Sequence, residues 1–194
     1  DAQHKAEDRL AELKEDQDQK STILANLRKN IKDYPRGLLP LKTRLESELN
    51  SQIGSRVRVD ILADVLELTD EQWRGAVEGY LNAQKFYLLV DPAYYKNALL
   101  IFDRIKKEFG FASFGLVDIG KLREQETICP CDGSLANKVD TENQLARSYI
   151  DYLLGRVVCC EKAEQLRNFK TGMTADGLLY QGYVVRSIRR ELMD

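Results

Sequence analysis

Near the start of the chain Ala6, Leu10, Leu13, Leu24, Leu27, Ile31 and Tyr34 recur at alternating spacings of four and three, with Gln17 and Lys20 filling two positions of the same stripe. A 3.5-residue period keeps an apolar seam turned toward one neighbouring helix, so the stripe predicts a coiled-coil arm over residues 6–34. Gln17 and Lys20 weaken that seam while fixing its register. No later segment repeats the pattern at comparable length, so the partner helix is expected beyond this chain, which opens on Asp1 and not on Met. A solvated helix, or a disordered lead-in around Asp16 and Asp18, is the competing reading.

Past Tyr34 the period breaks. Pro35, Gly37 and Pro40 stop the arm and predict a flexible joint. Leu41, Leu45, Leu49 and Ile53 then return at every fourth position as one face of a short helix, closed by Gly54. From Val57 the period is two: Val57, Val59 and Ile61 face one side and Arg58 and Asp60 the other, the pattern of a half-buried strand. Thr69 with Gln72 forms a capping box, and Trp73, Ala76, Val77, Tyr80 and Leu81 make the apolar face of the helix it would start. Residues 86–90 are apolar throughout, as expected of a strand covered on both faces. Asp91 and Pro92 open another helix with Tyr95, Ala98, Leu99, Phe102 and Ile105 inward, and Gly110 closes it. A third strand over 115–119 makes residues 57–119 run strand, helix, strand, helix, strand.

Residues 124–137 lack periodicity and gather turn formers around Cys129-Pro130-Cys131-Asp132-Gly133-Ser134, which predicts a boundary. Beyond it Leu145, Ala146, Tyr149, Ile150, Leu153 and Leu154 mark a helix stopped by Gly155. A buried strand over 157–160, a helical turn through Ala163 and Leu166, a hairpin signal at Asp176-Gly177 and a strand over 178–185 follow. The expected fold is α+β: an arm over 1–34 and a mixed body of two subdomains, 41–126 and 127–194.

The chain has 194 residues and is 43% hydrophobic, enough for one ordinary core or two small ones. Its apolar runs fall far short of the roughly 20 residues a bilayer crossing needs, and the charged start is no secretory signal. No membrane span and a cytoplasmic location are therefore expected. A net charge of −2 leaves any nucleic-acid contact to a local patch. The single histidine, His4, lies in the arm, which removes Ser–His–Asp, Cys–His and HExxH chemistry from the body. Asp60, Asp64 and Glu67 could in principle serve carboxylate chemistry, but they alternate with apolar residues as solvated strand positions do. Gly115 to Lys121 has the spacing of a phosphate-binding loop and then fails at Leu122, where a Mg²⁺-ligating hydroxyl is needed. Cys129, Cys131, Cys159 and Cys160 lack the paired C-x₂-C spacing of a zinc site, and thiols are the default state in a reducing compartment. No catalytic and no metal-binding residue is assigned.

The residues also carry a resemblance. Residues 62–68 followed by Trp73-Arg74-Gly75-Ala76-Val77-Glu78, the strand at 86–91, and 109–114 with Val117-Asp118 resemble the first half of the hinge of SMC (structural maintenance of chromosomes) ATPases. Residues 153–158, 163–166, Met173-Thr174-Ala175-Asp176-Gly177 and Gly182 are similar to its second half, in the same order. Glu71-Gln72-Trp73-Arg74, the stretch 78–81, Gln84-Lys85-Phe86 and Leu179-Tyr180-Gln181 look most like the MukB-related branch, in particular the JetC-type ATPase of Wadjet plasmid-defence systems.

The resemblance implies a hinge and dimerisation module without catalysis, in which residues 6–34 start a long antiparallel coiled coil. ATP and Mg²⁺ would belong to a distant head, and no cofactor to this part. A homodimer through the hinge, weak non-specific DNA contact and further subunits of an SMC-like complex are the implied partners. Gly177 and Gly182 match interface glycines of the family, whereas Tyr183 and Val184 stand where a second glycine is usual. Tyr180 and Tyr183 would then anchor a more apolar interface, or else belong to ordinary strand core. Arg56, Arg58, Arg186, Arg189 and Arg190 are the candidate phosphate contacts; a solvated face balanced by Glu191 and Asp194 is the alternative for the last three. Two other functions stay open: a nucleic-acid-binding module that does not dimerise, and a small-molecule enzyme using carboxylates.

Overall fold

A helix over Leu38–Ile53 (α1) begins the body, three residues earlier than the leucine spacing predicts. Pro40 falls in its first turn, where a missing N–H breaks no intrahelical bond, and Leu38 N donates to Pro35 O at 3.1 Å. The computed structural model describes residues 34–110 and 114–188, together with Arg9; the expected arm therefore lies almost entirely outside the described residues, as do Arg189 and Arg190. Contacts divide the chain into Asp1–Tyr34 and Pro35–Asp194, and the described helices and strands from Leu38 onward belong to the second unit.

Leu38, Leu41, Leu45 and Leu49 are fully buried along one face of α1, each contributing about 1.5–3 kcal/mol of transfer free energy. That helix packs on α3, Tyr95–Ile105, which buries Ala98, Ile101 and Ile105. Glu48 of α1 ties the two together by accepting from Arg44 Nε at 2.6 Å and from Arg104 of α3. Between helices and interior runs an antiparallel pair, β1 (Val59–Ile61) and β3 (Leu88–Val90), with Asp60 opposite Leu89. All three residues of β3 are buried, as expected of a strand covered on both faces. Since successive side chains alternate, Leu89 joins the main apolar cluster while Leu88 and Val90 take the other face.

Several sequence expectations shift. The capping hydroxyl expected at Thr69 is not the cap: Asp70 Oδ1 accepts from Gln72 N, and Thr69 Oγ1 donates weakly to Asn137 O. A 3₁₀ turn over Glu71–Trp73 then leads into α2, Arg74–Leu81. The strand expected over 86–90 starts at Leu88, because residues Asn82–Phe86 form a 3₁₀ turn. The third strand expected over 115–119 is reduced to one parallel bridge, Leu116 to Leu88. A side chain at Gly115 would meet the Tyr87 ring at 2.6 Å, which accounts for glycine at that crossing. Ile119–Gln125 is instead a helix, α4, capped by Asp118 Oδ1 accepting from Lys121 N at 2.9 Å. The phosphate-loop spacing thus ends on a helix whose N-terminal N–H already binds a carboxylate.

The second half carries a two-residue strand β4 (Val139–Asp140), helix α5 (Gln144–Leu154), and a four-stranded sheet of β5 (Val158–Cys160), β6 (Thr171–Thr174), β7 (Leu178–Gln181) and β8 (Val184–Ser187). Strand β5 runs parallel to β6; the other neighbours are antiparallel. Asn143 Oδ1 caps α5 by accepting from Leu145 N and Ala146 N, and its Nδ2 donates to Asp60 Oδ2 at 3.0 Å. The strand β2 (Glu67–Leu68) pairs with β4 across the boundary predicted at 126/127. One apolar cluster likewise runs from Leu62 and Trp73 through Val117 and Leu135 to Leu179 and Ile188, so both halves share a core.

Candidate functional site

The strand expected over 178–185 is two strands. Gly182 at φ 58° and Tyr183 at φ 65° turn the chain between them, a two-residue connection whose left-handed residues match the twist of the flanking strands. Tyrosine is rare at such a position, so the usual Asn-Gly or Asp-Gly signal is missing and the turn is invisible in the residue pattern. Register follows from it: Gln181 opposes Val184, Tyr180 opposes Val185 and Leu179 opposes Arg186.

These two strands meet different surroundings. Leu179 is fully buried and Tyr180 half-buried. Every residue of β8 is exposed along its length, Val184 at 57% and Val185 at 52%, and Tyr183 at the tip reaches 93%. Tyr183 is therefore not strand core. The sheet order β5-β6-β7-β8 leaves two edges. The β5 edge is covered, since Leu135 N donates to Val157 O at 2.7 Å and Cys159 N to Gly133 O at 2.9 Å. Among the described residues nothing pairs with the outer edge of β8.

Gly177, Tyr180, Gly182 and Tyr183, the expected interface residues, all fall on this pair of hairpins. Gly177, at φ 90°, closes the turn from β6 to β7, and its carbonyl accepts from Ile188 N at 2.9 Å, pinning the end of β8. Val185 joins this exposed stretch, which pattern reading missed; an apolar pair looks the same whether its strand is interior or at an edge.

The arginines divide. Arg56 and Arg58 stand before β1 of the β1–β3 pair; Arg58 Nε donates to Asp60 Oδ1 at 2.6 Å, which spends it on a neighbour, and Arg56 is exposed. Arg186 projects from β8 beside a groove of about 760 Å³ that Tyr80, Asn82, Gln181 and Ile188 help to line and that has no carboxylate in its wall. Burial pushes the Tyr80 hydroxyl above its ordinary pKa, and the Arg186 guanidinium opposes that rise. Arg189 and Arg190 lie outside the described residues.

Carboxylate chemistry finds no support at Asp60, whose two oxygens accept from Arg58 and Asn143. Among the described residues no three His, Cys, Asp or Glu side chains gather where they could hold a metal ion. No helix among them is long and apolar enough to cross a membrane.

Neither a protein-family model nor a curated protein matches the sequence. Solved structures do match the fold. The SMC hinge domain of Pyrococcus furiosus superposes with a TM-score of 0.53 at 17% identity, over 78% of this chain and 87% of that one. An asymmetric dimer of the Geobacillus stearothermophilus SMC hinge domain gives 0.55 at 13% identity, over 93% and 80%. The folded elbow of cohesin gives 0.56 at 15% identity, over 89% of this chain but 27% of that one. The body accordingly has an SMC-hinge-like α+β fold.

Proposed function

We propose that this chain is a hinge and dimerisation module of an SMC-like ATPase, and that the open edge of β8 with the Tyr183 tip docks on a second copy of the chain. The observation that carries the reading is the uncovered edge strand bearing Tyr183, Val184 and Val185 in a row. An exposed apolar edge is a template for pairing and is ordinarily blunted by charge, proline or a covering segment. Here Arg186 is the strand's one charge, while the opposite edge of the same sheet is covered. A second copy presents the same surface, and an SMC hinge of this fold is known as an asymmetric dimer. Tyr183 supplies the large, stiff apolar contact expected at the centre of such an interface.

In this reading catalysis lies elsewhere: ATP and Mg²⁺ belong to a head outside this chain, reached by the arm over 6–34. The parent would belong to the MukB-related or Wadjet JetC-type branch, working with further subunits on DNA in the cytoplasm. Arg186, with Arg189, Arg190 and the exposed Arg56, would give weak, salt-sensitive contact to phosphates.

Sedimentation velocity of the full chain tests this directly. The dimer is expected to dissociate at least about thirtyfold more readily in Val185→Asp, the weight of a 2 kcal/mol hot spot, with circular dichroism unchanged. Undiminished association in that variant would assign pairing to another surface and overturn the proposal.

A further inference from the structure

The groove beside Arg186 belongs to the same hairpin as the open edge. Its sheet wall is Leu179 and Gln181 of β7 and Arg186 of β8, alternate residues on one face, followed by Ile188. Ile188 packs directly on α2: a Cβ at Gly79 would stand 2.5 Å from its Cγ2, so glycine is what leaves room for it there. Leu153 of α5 adds to the apolar surface.

The polar groups of this groove suit one kind of guest. Amides and a hydroxyl rim it, with Gln181 Nε2 donating weakly to Tyr80 Oη at 3.5 Å. Among the described residues Arg186 makes no ion pair, and its guanidinium lies within electrostatic reach of that hydroxyl. An aromatic ring with a hydroxyl matches all three features: an apolar body for the aliphatic wall, a π face for the unpaired cation and a polar tip for the amides. Tyr183 is such a ring. It is 93% exposed, stands in a turn at φ 65° and lines no part of its own chain's groove.

Pairing along the open edge delivers that ring to a second copy. A two-fold axis between two β8 strands makes them antiparallel and keeps corresponding faces on the same side, so that Val185 opposes Val185. Tyr183 of each copy then falls beside Ser187 of the other, and Ser187 lines the groove next to Ile188.

We infer that Tyr183 of each copy docks in the Arg186 groove of the other, so that one symmetric interface holds two reciprocal tip-in-groove contacts. The inference rests on the edge pairing proposed above and goes beyond it, since pairing of the backbones alone leaves both rings in solvent. Docking covers the ring with Leu153, Leu179 and Ile188 and sets it against the Arg186 guanidinium.

Fluorescence of Tyr183→Trp across a concentration series of the full chain reads the tip directly, over a constant background from the buried Trp73. The added indole is expected to shift to shorter wavelength and to resist acrylamide as the chain associates. Gln181→Trp places bulk in the groove from β7, away from the edge that pairs, and is expected to weaken association at least about tenfold; Tyr183→Ala should weaken it at least about thirtyfold. A mixture of these two variants regains one of the two contacts, because the tip of the filled-groove chain meets the empty groove of the other. That mixture should associate about tenfold more tightly than either variant alone. The fluorescence readout uses no groove variant, so it decides the matter even where Gln181→Trp perturbs the fold. An indole that stays exposed in the associated form, or a folded Gln181→Trp variant that associates like the parent, overturns the docking and leaves edge pairing standing. A parent chain that stays monomeric, or whose association ignores Val185→Asp, removes the edge pairing and the docking together.

Discussion

Strands β7 and β8 are joined by two residues, pair along their whole length and carry similar aliphatic side chains, yet Leu179 is fully buried while Val185 is 52% exposed. The difference lies in what stands beside and behind each. Strand β7 has β6 on its other flank and Leu179 sits in the main apolar cluster; Val185, opposite Tyr180, turns to the other face of the sheet, and Val184, on the face of Leu179, is still 57% exposed because β8 has no second flank among the described residues. Burial of an aliphatic strand is thus set by its neighbours, and an apolar strand without neighbours is a surface that loses free energy until something covers it.

The comparison can be broken most severely at Leu179. Leu179→Ala should destabilise the body by about 2–5 kcal/mol, whereas Val185→Ala should stay within about 0.5 kcal/mol for the monomer. Denaturant unfolding at concentrations low enough to keep the chain monomeric reads both, and equal costs would mean that β8 is covered after all. The association of Val185→Asp, already described, is the opposite arm of the same contrast.

A smaller effect sharpens the role of the tip. Tyr183 holds a left-handed conformation that penalises a side chain by about 1–2 kcal/mol, and its ring touches solvent, so Tyr183→Gly should stabilise the isolated hairpin by part of that amount. It should at the same time weaken self-association, since the aromatic contact is removed. Stability and dimerisation moving in opposite directions would mark Tyr183 as strain kept for an interface; both falling together would mark it as ordinary structure.

The mildest probe compares the two edges of the sheet. Cys159 lies in the covered strand β5, and burial pushes its thiol up to about 11, while Cys129 and Cys131 are exposed. A thiol held protonated by the fold binds its proton more tightly folded than unfolded, so its contribution to stability is complete below about pH 9 and fades as pH rises toward 11. Iodoacetamide at pH 8, followed by mass spectrometry, should therefore label Cys129 and Cys131 and spare Cys159 and the buried Cys160. Rapid labelling of Cys159 would show that the β5 edge opens as readily as its counterpart.

Much of the fold was legible because periodicity records which face a residue turns to the core. The stripe Leu41, Leu45, Leu49, the alternation at Val57, Val59, Ile61 and the apolar block ending in Val90 each became the buried face of the element they predicted. What failed was local chemistry resolved only by distant partners. Asp70 displaced Thr69 as a cap because Lys138 pairs with its other oxygen, and Thr69 found Asn137. The turn at Gly182-Tyr183 broke the strand that its residues suggest, for tyrosine in a left-handed turn is a choice no propensity favours. The cavity of about 780 Å³ that Asp70, Ser134 and Asp176 help to line gathers residues about a hundred positions apart, an adjacency that no single motif announces.

By itself the sequence determined the apolar faces at Leu41, Leu45 and Leu49 and at Val59 and Ile61 and the absence of imidazole from the body, because these depend on residue type and spacing within a few turns of chain. The tertiary structure alone decided that, among the described residues, β5 is a covered edge and β8 an open one, and that Asp70, Glu161 and Asp176 line one cavity. Those facts depend on which distant segments come to lie side by side, and a linear pattern of polar and apolar residues does not encode that adjacency one residue at a time.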